Sequence, residues 1–146
     1  MVLRPDAIRE RLKKLEDVIT RLRELGPPEG LDLAGDYRDA WVAERGLQLA
    51  AEIAFDVGNH ILSAHFGTSS TDYEDIIRQL SDRGVLSRDL SERFKGLGGF
   101  RNVLVHGYLR IDSRRVADAL ERAPDDFSRF SDEIRRWLES AAGVSG

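Results

Sequence analysis

Between Trp41 and Leu62 the chain carries Trp41, Val42, Leu47, Leu49, Ile53, Ala54, Phe55, Val57, Ile61 and Leu62. Wound as a helix, that segment is apolar almost all round. Such a helix cannot lie on a surface and must be enclosed by other elements, each contributing an apolar stripe. The stripes are present. Ile8, Leu12, Leu15, Ile19 and Leu22 follow a 4-3-4-3 spacing, and Phe127, Phe130, Ile134, Trp137 and Leu138 form a second set near the C-terminus. No segment alternates with the two-residue period of a strand. The pattern predicts an all-α fold, a single-domain bundle of about five helices.

Helix boundaries follow from capping chemistry. The first helix starts near Pro5-Asp6 and ends at Gly26-Pro27-Pro28. A long second helix follows the Gly35-Asp36 turn and runs to about His65. Thr71-Asp-Tyr-Glu74 reads as a capping box opening a short third helix, closed by Gly84. Ser87 caps a fourth, with Leu90, Phe94 and Leu97 on its buried face and an end near His106-Gly107. A fifth begins after Asp112 or Ser113, with Pro124 breaking or restarting it. The 146 residues suit one domain, 1–146, with an ordered core over 4–141 and a flexible tail at 142–146.

Composition narrows the chemistry. With 41% hydrophobic and 33% charged residues the chain is globular, and the absence of cysteine excludes disulfides, Cys-ligated metals and a thiol nucleophile. No basic and apolar leader is visible, and Gln48, Glu52, Asp56, Asn59 and His60 interrupt the most apolar stretch. A cytoplasmic protein without a membrane partner is expected.

The polar residues of helix two align. Glu44, Gln48, Glu52, Asp56 and His60 recur at i+4, a slanting column flanked by Arg45 and Asn59. The column is either the wet edge of a core helix or the lining of a polar cleft, with Glu44, Asp56, Asn59 and His60 as candidate lining residues. Its acids repel one another unless cations meet them, so arginines are expected nearby. Asp56 and His60 alone make no metal site, and neither a metal nor a cofactor is expected.

The segment richest in chemistry is Gly96-Leu-Gly-Gly-Phe-Arg101-Asn102-Val-Leu-Val-His106-Gly107-Tyr108. Three glycines in four residues cost about 1 kcal/mol each inside a helix, and suit a place where a backbone, a subunit or a ligand comes close. Asn102 lies one turn before His106 and can orient its ring. Gly107 ends the helix, so His106 sits where the helix dipole favours imidazolium. An Arg and a His without thiol or metal suit RNA cleavage, in which the substrate supplies its own 2′-hydroxyl nucleophile. His moves protons, and Arg holds the phosphorane. The same residues would equally serve an ordinary helix end, with Arg101 paired to a helix-two carboxylate and His106 as a cap.

Arg-Asn-Val-Leu-Val-His-Gly-Tyr resembles the R-x4-H-x-Y motif of the HEPN superfamily, in particular the HepT-like toxins of toxin–antitoxin modules. The resemblance extends to Glu44-Arg45, Asp56-Val-Gly-Asn59-His60, the Tyr73 segment and Gly84-Val-Leu, most of residues 4–141. It implies a HEPN-like up-and-down core and a homodimer that joins two motifs in one cleft. It also implies a metal-independent endoribonuclease, the toxin of a type VII system. By the same resemblance Arg101 and His106 are the catalytic pair, Asn102 supports the His, and Glu44 or Asp56 supplies an acidic contribution. A minimal nucleotidyltransferase antitoxin would transfer AMP to Tyr108. The other reading is a non-catalytic helical partner of such a nucleotidyltransferase, binding nucleotide or protein.

Charge bears on the choice. The whole chain is at −4, but between Arg78 and Arg115 nine basic residues face four acidic ones. The surplus flanks the motif, where an RNA backbone would need it.

Overall fold

The computed structural model describes residues 2–106 and 111–145, apart from the side chains of 106 and 142–145. Six α-helices follow one another: α1 (Pro5–Glu24), α2 (Tyr37–Ile61), α3 (Tyr73–Asp82), α4 (Arg88–Arg93), α5 (Leu97–His106) and α6 (Ser113–Ser145). Among the described residues there is no strand. The apolar stripe of α1 is fully used, with Ile8, Leu12, Leu15, Ile19 and Leu22 all buried. Helix α2 runs through the middle and packs against α1, α3, α5 and α6, as an all-round apolar helix must. It ends in a widened turn over Leu62–Phe66, closed by Gly67 in the left-handed region at φ 68°.

Local chemistry sets the boundaries. Asp36 caps α2 by accepting from the backbone N–H of Arg38 at 2.9 Å. At α3 the cap is Asp72, one residue after the expected Thr71, because its carboxylate accepts from Glu74 N–H at 3.0 Å. Ser87 caps α4 as expected, its hydroxyl accepting from Leu90 N–H at 3.2 Å. It also binds Glu133 of α6, so the start of α4 is tied to the longest helix.

Two expectations are corrected. The predicted fourth helix is two helices, because Gly96 adopts φ 85° and ends α4 before α5 begins. Pro124 neither breaks nor restarts α6, which is continuous through it. Buried Leu120, Ala123, Phe127, Phe130, Ile134 and Leu138 pin that helix to the core on both sides of the proline. Tertiary packing of that face outweighs the backbone hydrogen bond that proline removes.

Gly98 is the closest approach of α5 to α3. A Cβ built there would stand 2.9 Å from the Tyr73 Cβ, whereas one on Gly99 would meet nothing within 4 Å. One glycine lets two helices touch, and the other faces open space.

Candidate functional site

Arg101 emerges from α5 toward α2 and α3. Its Nη2 donates to Glu52 Oε1 at 3.1 Å, and its Nη1 donates to Asn102 Oδ1 at 3.3 Å. Its Cζ lies 5.2 Å from the centroid of the Tyr73 ring, which itself stacks on Phe55 at 4.0 Å between centroids. Cation and aromatic attract through the ring quadrupole. The guanidinium is therefore held by a carboxylate, an amide and an aromatic face. Its Nε is buried without a hydrogen-bond partner among the described residues.

Two adjoining hollows share Thr71 and Tyr73. One, of about 310 Å³, is lined by Asp72, Glu74, Gly98, Gly99, Arg101 and Asn102 besides those two. The other, of about 350 Å³, is lined by Glu52, Phe55, Asp56, Asn59, Ser70 and Ile76 besides the same two. Arg101 opens into the first, while its partner Glu52 lines the second. Asn59 Oδ1 is buried without a partner among the described residues, an acceptor left over beside the second hollow.

The polar column of α2 divides along its length. Gln48 donates to Glu52 Oε1 at 3.1 Å, so that oxygen serves both Gln48 and Arg101. Asp56 accepts from Arg11 Nε at 2.7 Å, and His60 Nε2 accepts from the Arg4 backbone N–H at 3.4 Å. Both of these engage the α1 end. Glu44 has no ion pair among the described residues, and burial raises its carboxyl above the ordinary value. Of the four candidate lining residues, Asp56 and Asn59 thus border the second hollow, which Glu52 shares, while Glu44 and His60 line neither. Among the described residues no group of three or more His, Asp or Glu is arranged to hold a metal ion.

Sequence reasoning missed one residue here and half-placed another. A helix-two carboxylate paired with Arg101 was one of the expected readings, and the structure names that carboxylate as Glu52, 49 positions away. Tyr73 reads as a helix-start residue; only the paired absence of side chain at Gly98 hints that an aromatic packs there. The expected contact of Asn102 with the His106 ring, and all of Tyr108, lie outside the described residues. Of the nine basic residues between Arg78 and Arg115, five are paired among the described residues, Arg101 with Glu52 being one. Arg78 binds Asp75, Arg93 binds Asp126, Lys95 binds Glu92 and Arg114 binds Asp112.

A family model described as ribonuclease HepT-like matches residues 7–134. The chain belongs to that ribonuclease family. It is 28% identical over 137 residues to the tRNA nuclease HepT of Aphanizomenon flos-aquae, covering 93% of this chain and 92% of that protein. In fold it is similar to YutE of Bacillus subtilis, a cytosolic protein of unknown function. The TM-score is 0.81 at 24% identity, over 98% of this chain and 96% of that one. It is also similar to a tri-AMPylated HEPN toxin of Shewanella oneidensis in complex with an MNT antitoxin, with a TM-score of 0.80 at 23% identity over 90% and 98% of the two chains. The HepT-like family and the all-α HEPN-like bundle expected from the motif and its context are thus both found. No helix among the described residues is long and apolar enough to cross a membrane.

Proposed function

We propose that this protein is the toxin of a toxin–antitoxin pair, a metal-independent endoribonuclease whose reacting groups are Arg101 and His106. The observation that carries the reading is Arg101, half-buried at the wall of a polar hollow. Its guanidinium is steadied by Glu52 and Tyr73 inside a chain of ribonuclease family. In this reaction the ribose 2′-oxygen bonds to the adjacent phosphorus as the bond to the 5′-oxygen breaks. The 2′-hydroxyl proton must leave and the 5′-oxygen must gain one, which is work for His106. Arg101 offers planar donors to the charge that builds on the phosphorane. Asn102 accepts from Arg101 Nη1 and precedes His106 by four residues in sequence, and it supports their placement.

The protein acts as a homodimer, with a minimal nucleotidyltransferase as antitoxin that transfers AMP to Tyr108. The family, and a structural neighbour that is an AMPylated toxin bound to its antitoxin, support this regulation. An AMP group two residues from His106 would put a bulky anion where the substrate phosphate belongs.

The test is cleavage of total RNA by purified protein in chelator-containing buffer. Wild type should cut, and His106→Ala and Arg101→Ala should each lose cutting while keeping the helical signal and melting transition. RNA cut equally well by His106→Ala would overturn the assignment. A wild type that cuts no RNA yet binds nucleotide tightly would point to a non-catalytic partner of the nucleotidyltransferase.

A further inference from the structure

On the α6 side of α5, away from the Arg101 hollow, lies a separate groove of about 270 Å³. It runs between the α4–α5 turn and the first half of α6. Phe94, Leu97, Phe100, Ala119 and Ala123 give it an apolar floor, and Arg93, Lys95, Arg115 and Arg122 give it a cationic rim. Two acids border it, Asp118 and Asp126, and Asp126 is buried and held by Arg93 at 2.5 Å. Lys95 reaches Glu92 at 2.9 Å. Arg115 and Arg122 form no ion pair among the described residues, and the Arg115 Cζ stands 5.3 Å from the Phe100 ring centroid. They are seven residues apart on α6, hence on one face and two turns distant. A protein at −4 overall thus keeps two guanidinium groups outside any ion pair among the described residues, one of them over the mostly buried Phe100 ring.

That combination matches one polymer. Single-stranded nucleic acid offers alternating phosphates and flat bases, and its binding grooves join cations with aromatic or guanidinium stacking surfaces. The groove lies across the start of α5 from the candidate site. Gly96 lines the groove, Gly98 and Gly99 line the Arg101 hollow, and Gly99 carries nothing that rises above the helix backbone. At the start of α5, therefore, Gly99 raises no side chain between the two depressions. We propose that the α5–α6 groove is an accessory subsite for single-stranded RNA, receiving nucleotides that flank the phosphate held at Arg101. The inference rests on the ribonuclease reading and deepens it, since it names where the substrate strand runs beyond the reacting phosphate.

The probes are fluorescent 2′-O-methyl oligoribonucleotides of about four and about twelve nucleotides, which span the usual range of single-strand footprints and cannot be cut. Arg115→Glu/Arg122→Glu and Ala119→Trp alter the rim and the floor, and neither replaces a proposed reacting group. Both should weaken binding of the longer probe by about ten- to hundred-fold, the scale of lost stacking and phosphate contacts, and change the shorter by less than about two-fold. The salt slope for the longer probe should fall by roughly 1.4 in the double variant, two single-strand phosphate contacts being lost. If both variants bind the longer probe like wild type while wild type still cuts RNA, the subsite is overturned and the ribonuclease reading stands. Wild type that neither cuts RNA nor binds either probe would remove both. Loss of self-association at unchanged RNA affinity would assign the groove to a second copy of the chain and overturn the proposal.

Discussion

Glu52 Oε1 lies 3.1 Å from Arg101 Nη2, joining the middle of α2 to the motif helix across 49 residues of sequence. The pair is only partly exposed, at 20% for the arginine and 34% for the glutamate, so it is shielded from the screening that weakens surface ion pairs. Glu52 is therefore a positioning residue, fixing where the guanidinium points before any phosphate arrives. Glu52→Ala should lower kcat about ten- to hundred-fold with little change in KM, the scale expected when a reacting group is misplaced. Glu52→Gln keeps an acceptor for Arg101 and should restore most of that loss. Equal damage from both variants, or a change confined to KM, would remove the positioning role.

The two central glycines of the motif segment should respond oppositely to the same change. Gly98→Ala drives a methyl to 2.9 Å from the Tyr73 Cβ, against helix packing that cannot yield cheaply. It should cost about 1–3 kcal/mol, as overpacked core sites do. Gly99→Ala meets nothing within 4 Å and only gains helix propensity. It should be neutral or stabilising by up to about 1 kcal/mol. Urea unfolding of the two single variants checks this, and a destabilised Gly99→Ala would show that α5 packs differently.

This contrast marks what one sequence discloses. The stripes of α1 and α6 were legible because burial repeats with the helix period. Asp36 and Ser87 were legible because caps act within one turn. The position of Gly96 was legible, but its left-handed φ was not, so one helix was expected where two occur. Pro124 was misread because its local penalty is visible in sequence, while the packing that overrides it is not. A helix-two carboxylate for Arg101 was among the legible readings, but its identity as Glu52 and the Tyr73 platform depend on the α2, α3 and α5 arrangement, which no local rule encodes.

Acid should act on the α1–α6 interface through Glu16. Burial works to raise its carboxyl, but Arg135, at 3.0 and 3.1 Å, and the Ser131 hydroxyl hold it below the ordinary 4.5. A lowered folded value means the contribution is fully present above that ordinary value and is lost as pH falls through the folded one. Glu16→Gln should therefore be less stable than wild type at neutral pH, the gap closing as pH falls through that lowered value. Glu44 has the opposite sign, because burial raises it. Its charge costs stability above the raised value, so Glu44→Gln should melt higher at neutral pH and lose that advantage in acid. Urea midpoints across the range test both, and parallel curves would contradict the two assignments.

The N-terminal turns of α2 carry most of the large apolar surface exposed among the described residues. Tyr37 is 58% exposed, Trp41 67% and Val42 47%. Tyr37 and Trp41 meet edge to face at 5.2 Å, so the patch is ordered by its own contacts. A patch of this kind marks an interaction surface, and the proposed dimer gives it an occupant. Trp41→Glu should leave the melting transition of the monomer unchanged and shift sedimentation toward it. An unaltered dimer in that variant would place the interface elsewhere.

Tyr108 follows the motif histidine by two residues, and the proposed antitoxin chemistry turns on it. Transfer to its phenolic oxygen forms an oxygen–phosphorus bond to AMP and, with ATP as donor, releases pyrophosphate. The product adds a negative charge beside groups that must receive a phosphate. Co-expression with the cognate nucleotidyltransferase should therefore give AMP-sized mass increments on peptides containing Tyr108, and loss of RNA cutting in proportion to them. Tyr108→Phe keeps the ring and removes the acceptor oxygen, so it should stay unmodified and remain active in the presence of ATP and antitoxin. If Tyr108→Phe is silenced as fully as wild type, neutralisation proceeds by complex formation alone. AMP found on another residue with Tyr108 untouched would move the regulatory site away from the motif.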